Sequence, residues 1–149
     1  MPDIPADREQ RGNPDGMLVL AKSSKIPIER IWYLPDATTS VIAEISCGIL
    51  FVMAFWSGPS IKAFHLLTEI LSQLDPHGSL EFVVIDTDGA ESFYLHPAFK
   101  DKLSGAGEVA WIINGVIQCT SGLGYNPNCF EPNTTALLAE WIKSQRAKS

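Results

Sequence analysis

The stretch that decides the fold runs Gly48-Ile49-Leu50-Phe51-Val52-Met53-Ala54-Phe55, then Trp56-Ser57-Gly58-Pro59-Ser60. Its first part is apolar without interruption and of strand length. A continuous run, rather than an alternating one, is what a central strand buried on both faces requires. The pentapeptide after it reads as a strand-to-helix junction. Ser57 or Ser60 suits a helix N-cap, and Pro59 is tolerated in a first turn because its missing N–H would be unpaired there. Ala63, Leu67, Ile70, Leu71 and Leu74 follow at helical spacing, which predicts a helix over 60–74.

Working outward, Asp75-Pro76-His77-Gly78 stops that helix and 80–85 reads as the next strand. Upstream, 31–34 is a short strand, and Pro35 and Asp36 open a helix through Ile45. The apolar run 17–21 reads as a further short strand. Downstream, 91–103 reads as a helix broken or kinked at Pro97. Residues 109–113 and 116–120 flank Asn114-Gly115, a strong hairpin signal. Residues 122–133 form a long loop holding Leu123, Tyr125 and Phe130. Thr134 or Thr135 caps a last helix whose Leu137, Leu138, Trp141 and Ile142 make one stripe. Residues 1–16 are polar and dotted with Pro2, Pro5 and Pro14, a flexible tail before one folded unit over 17–149. From 31 onward the order is β-α-β-α-β-α-β-β-α.

That order, with Trp56-Ser57-Gly58-Pro59-Ser60 at the junction, resembles the thioredoxin family and its Trp-Cys-Gly-Pro-Cys motif over roughly residues 28–144. The resemblance implies a thioredoxin-like fold, three α/β/α layers around a mixed sheet. It also implies that Ser57 occupies the place of the nucleophilic cysteine and Ser60 that of the resolving one. Disulfide exchange needs a thiolate, and a serine hydroxyl cannot supply one. Three further family features are missing. The buried acid six residues before the first motif cysteine is Phe51, and its lysine partner on the next strand corresponds to Val84. Joint loss is coherent, because one buried charge without the other is costly. The cis-proline facing the motif falls at about Gly107. The resemblance therefore implies a redox-inactive site. It also places a substrate groove along Phe55, Trp56, Gly107 and Glu108. Apart from the resemblance, the long loop either carries Tyr125 as a further binding residue or tucks its aromatics against the last helix.

Bulk properties narrow the function classes. The chain of 149 residues has a net charge of -6, which argues against a nucleic-acid partner. No apolar run is long enough to span a bilayer. No signal peptide is visible, which favours the cytoplasm. Cys47, Cys119 and Cys129 are odd in number and lack C-x-x-C spacing, so they set no disulfide framework or zinc site. Cys119 and Cys129 flank a glycine-rich stretch and either pair or stay separate, with separate thiols favoured. Asp86, Asp88 and Glu91 supply too few oxygens for a metal, and His65, His77 and His96 share no ligand spacing. No metal and no cofactor is expected.

The expectation is a redox-inactive domain that binds an unidentified protein or peptide through the former active-site groove. The alternative is a thiol-disulfide oxidoreductase, either because the serines replace cysteines of the natural chain or because a remaining cysteine is catalytic. A weaker third reading is a stabilising or inhibitory protein whose acidity suits a basic target. The oligomeric state is open.

Overall fold

The structure, a computed structural model, describes residues 15–101, 103–122 and 124–148. The expected tail over 1–16 therefore lies almost wholly outside the described residues, as does Leu123. A five-stranded mixed sheet organises the chain. Its strands are β1 (Ile31–Leu34), β2 (Cys47–Met53), β3 (Glu81–Asp86), β4 (Glu108–Ile113) and β5 (Val116–Thr120), in the spatial order β1-β3-β2-β4-β5. β1, β3 and β2 are parallel; β4 runs antiparallel to β2, and β5 to β4.

Both faces of the sheet are covered, which is why β2 is apolar at every position. Ile49, Phe51 and Met53 point to one face, with Phe82, Val84, Val109 and Trp111. This face lies under the helices α1 (Gly16–Ser23), α3 (Gly58–Leu74) and α4 (Phe130–Lys148). Leu50 and Val52 point to the other face with Val83, Ile85, Ala110 and Ile112. There they meet Val41 and Ile42 of the one-turn helix α2 (Ser40–Ala43), together with Phe93 and Phe99. Burial of this kind is worth about 1.5–3 kcal/mol per large side chain. The hairpin forms as read: Asn114 and Gly115 both take positive φ, 50° and 76°, as a two-residue turn between twisted strands requires.

Four elements differ from the sequence reading. Residues 17–21 are not a strand but part of α1, with Leu20 buried against the core and Leu18 exposed. An apolar run this short fits strand and helix equally well, and its packing on α3 decides. The helix expected over 35–45 shrinks to α2, because Ala37 N–H donates to Gly89 O and Thr39 N–H to Ser92 Oγ. Those tertiary bonds replace intrahelical ones. The helix expected over 91–103 is a single 3-10 turn, Glu91–Leu95. His96, which precedes Pro97, is extended with ψ 134°, the conformation proline imposes on its predecessor. The long loop ends early: a 3-10 turn at Pro127–Cys129 leads directly into α4 at Phe130. Pro132 is accommodated in the first turn of that helix. Thr134 is consequently no cap. It is buried inside α4 and accepts the Trp111 Nε1–H at 3.1 Å.

Candidate functional site

The junction after β2 is built from its own side chains. Ser57 is the N-cap of α3, its Oγ accepting the Ser60 N–H at 3.4 Å. Ser60 is fully buried; its Oγ accepts the Ala54 N–H at 2.9 Å and donates to Met53 Sδ at 3.3 Å. The second hydroxyl therefore ties the helix back to the end of the strand. Between the serines, Gly58 and Pro59 are exposed, and Trp56 is 66% exposed.

The segment before β4 closes over this junction. Gly107 has φ +88°, and a β-carbon there would lie 2.8 Å from Ala63 Cβ, 3.0 Å from Phe51 Cζ and 3.3 Å from Ser60 Cα. Backbone thus faces the motif at the place the resemblance gives to a cis-proline; among the described residues no peptide bond is cis. Gly105, with φ +81°, lies beneath the Trp56 ring, which would stand 2.5 Å from any β-carbon added there. Both conformations and both close approaches require glycine.

Phe51 and Val84 are direct neighbours in register across β2 and β3, and both are fully buried. Two apolar side chains fill the place where the resemblance puts a buried acid and its lysine.

The fold is thioredoxin-like.

The strand order, the parallel and antiparallel pairings and the helix that starts directly after β2 carry that assignment. No protein-family model matches the chain, and no curated protein is similar to it in sequence. Among solved structures, the chain is similar to a Plasmodium falciparum thioredoxin at 19% identity, over 68% of this chain and 93% of that one, with a TM-score of 0.48.

The proposed groove residues do not all lie together on the surface. Trp56 borders the junction on the outside, whereas Gly107 is buried beneath it against Ala63, Phe51 and Ser60 and does not line an open groove. Phe55 is half-buried and packs edge-on against Tyr33 at 5.6 Å. Tyr125 is 36% exposed, and the Lys62 ammonium of α3 lies 5.8 Å from its ring centroid, which places the loop beside the first turns of that helix. Glu108 is 2% exposed and turned inward. Its Oε2 accepts the Ser104 hydroxyl at 2.9 Å and the Ser104 and Ala106 N–H groups at 3.3 Å each. Among the described residues its Oε1 has no hydrogen-bond partner. Glu108 thus holds the loop that seats Trp56 and does not line an open groove. Phe130, read as a loop residue, belongs to the core against Trp111.

The sequence reading missed Gly105 as the seat of Trp56. The signal was present in Ser104-Gly105-Ala106-Gly107, two glycines directly before a strand. It also missed Tyr33. Its hydroxyl reaches Asp86 Oδ2 at 3.5 Å, and burial followed by the Asp86 charge pushes its pKa up. Asp86 itself is buried and accepts the Asp88 N–H at 2.9 Å. Among the described residues no three His, Cys, Asp or Glu side chains are grouped to hold a metal, and no helix is long and apolar enough to cross a membrane.

All three thiols are pushed above their ordinary pKa. For Cys47 burial leads, followed by the Glu81 and Asp75 charges, and the value reaches about 11. Burial is also the main cause for Cys119 and Cys129. These are not the electropositive surroundings that activate a catalytic cysteine.

Proposed function

We propose that this chain is a redox-inactive thioredoxin-like domain that binds an extended protein or peptide segment along the rim formed by Trp56, the loop at Gly105 beneath it, and Tyr125. One observation carries the reading: both motif hydroxyls are engaged in holding the junction together while the tryptophan beside them is 66% exposed. An aromatic ring seated on rigid backbone is a low-entropy anchor of the kind that dominates interfaces. The absence of any thiol at the junction and the apolar Phe51–Val84 pair support a role without electron transfer. The raised thiols weigh against the oxidoreductase alternative.

The test is selection from a random extended-peptide library on the intact chain, followed by binding measurements on Trp56→Ala, Tyr125→Ala. A selected peptide losing at least about tenfold in affinity on the double variant supports the rim. Equal binding by both proteins refutes it. Catalysed reduction of a protein disulfide by the unmodified chain would refute the redox-inactive half.

A further inference from the structure

An open cleft of about 790 Å³ lies at the C-terminal end of β1. One wall comes from residues 34–44 and the other from 89–92. Two bonds tie the walls together: Ala37 N–H donates to Gly89 O at 2.9 Å, and Thr39 N–H to Ser92 Oγ at 3.1 Å. Asp36 and Glu44 line the first wall and Glu91 the second, and all three are exposed. Thr38, Ser40 and Ser92 add hydroxyls. Among the described residues that line the cleft there is no lysine or arginine. Carboxylates on both walls select a cation that can donate in several directions, and a guanidinium carries five donors.

The chain enters the fold beside this cleft. Residues 1–14 lie outside the described residues, and α1 starts at Gly16. Gly16 is pressed against two rings: a β-carbon there would lie 2.5 Å from Tyr33 Oη and 2.6 Å from Phe55 Cζ. Tyr33 directly precedes Leu34, the first residue of the cleft wall. Asp36 is also near Tyr33 in space: burial leads the causes that raise the Tyr33 pKa, Asp86 follows, and the Asp36 charge adds to them. Arg11 precedes Gly16 by five residues, a span of up to about 17 Å when extended. Between Glu9 and Asp15 it is the only charged side chain, whereas Arg8 is flanked by Asp7 and Glu9. Arg11 is therefore the cation that is both within reach of the cleft and without an acidic neighbour in sequence.

We propose that the N-terminal segment of this chain occupies the cleft, with the Arg11 guanidinium seated between Asp36 and Glu91. Reach and charge complementarity select this occupant. The contact goes beyond the peptide-binding reading and uses none of the residues of the Trp56 rim. A tether of a few residues gives Arg11 an effective concentration on the order of millimolar at the cleft. A contact too weak to hold two separate molecules together is then still formed within one chain. The segment is thereby an intrachain competitor of any other cationic ligand for this surface.

The experiment measures backbone order parameters of the full chain by NMR relaxation. The expected result is values above about 0.6, the upper limit of flexible backbone, at Gln10, Arg11, Gly12 and Asn13. Arg11→Gln brings them below that limit, and so does the pair Asp36→Asn, Glu91→Gln, while the β2 and β3 amides keep their parent values. Arg8→Gln leaves the ordering in place. Flexible values in the unmodified chain would overturn the contact; if added triarginine peptide then shifts the Gly89, Glu91 and Ser92 amides, the cleft belongs to a basic partner instead. Ordering that survives Arg11→Gln or the Asp36→Asn, Glu91→Gln pair would overturn the cleft as its seat. Ordering that is lost on dilution would place the segment in the cleft of a second copy and overturn the intrachain contact.

Discussion

Ser60→Ala isolates the claim that the second motif hydroxyl is structural. The substitution removes one oxygen and introduces no bulk. It leaves the Ala54 N–H, on a fully buried residue, without the acceptor it meets at 2.9 Å. An orphaned buried amide costs about 1–3 kcal/mol. With a urea dependence of about 2 kcal/mol per molar for a chain of this size, the unfolding midpoint falls by about 0.5–1.5 M. Ser57→Ala is the internal comparison. Its capping bond is long, 3.4 Å, so its cost belongs at the low end for an N-cap, about 0.5 kcal/mol. Equilibrium urea unfolding followed by far-UV circular dichroism measures both. The reasoning is refuted if Ser60→Ala unfolds within about 0.3 kcal/mol of the parent, or if Ser57→Ala is the more damaging, because either result leaves Ser60 Oγ without the role assigned to it.

Three further outcomes follow from the same geometry. Phe51→Asp buries a charge with no partner and lowers stability by about 3–5 kcal/mol; adding Val84→Lys, its neighbour in register, restores part of the loss, as a double-mutant cycle in urea would show. Glu108→Ala releases Ser104 and Ala106, so amide exchange at 104–106 speeds up at least about tenfold while the β2 and β4 amides stay protected; unchanged exchange would remove Glu108 from the role of loop anchor. Cys47 titrates at about 11 in the fold against an ordinary 9.0, so native alkylation near neutral pH runs about a hundredfold below that of an unperturbed thiol. The folded pKa is the higher one. The stabilising contribution is therefore complete below pH 9 and is lost as pH rises toward about 11.

The legible parts of the chain were those where one physical requirement leaves one solution. β2 was legible because only burial on both faces explains seven apolar or small residues in succession, Cys47–Met53. Asn114-Gly115 was legible because few residue pairs accept two consecutive positive φ values. The misreadings came where local signals tie. Met17 to Ala21 has too few residues to show a period, and α3 decides its form. Pro127 and Pro132 together look like loop, although the second is harmless in a first helical turn. Glu108 was the instructive case at the site. A carboxylate beside a rim reads as surface, and its inward turn is set by three donors from a loop whose shape the sequence does not announce. The pairing of Phe51 with Val84 could be inferred, since it follows from strand register alone.

The arrangement beneath Trp56 bears on portability. The indole is the visible part of the pentapeptide, yet its position is fixed by Gly105, and Gly105 is fixed by a carboxylate buried three residues later in the chain. Grafting residues 56–60 onto another scaffold would transfer the letters without the geometry. The smallest transplantable unit is two segments distant in sequence, 54–60 and 104–108, with the strand pairing Val52↔Glu108 that keeps them in register.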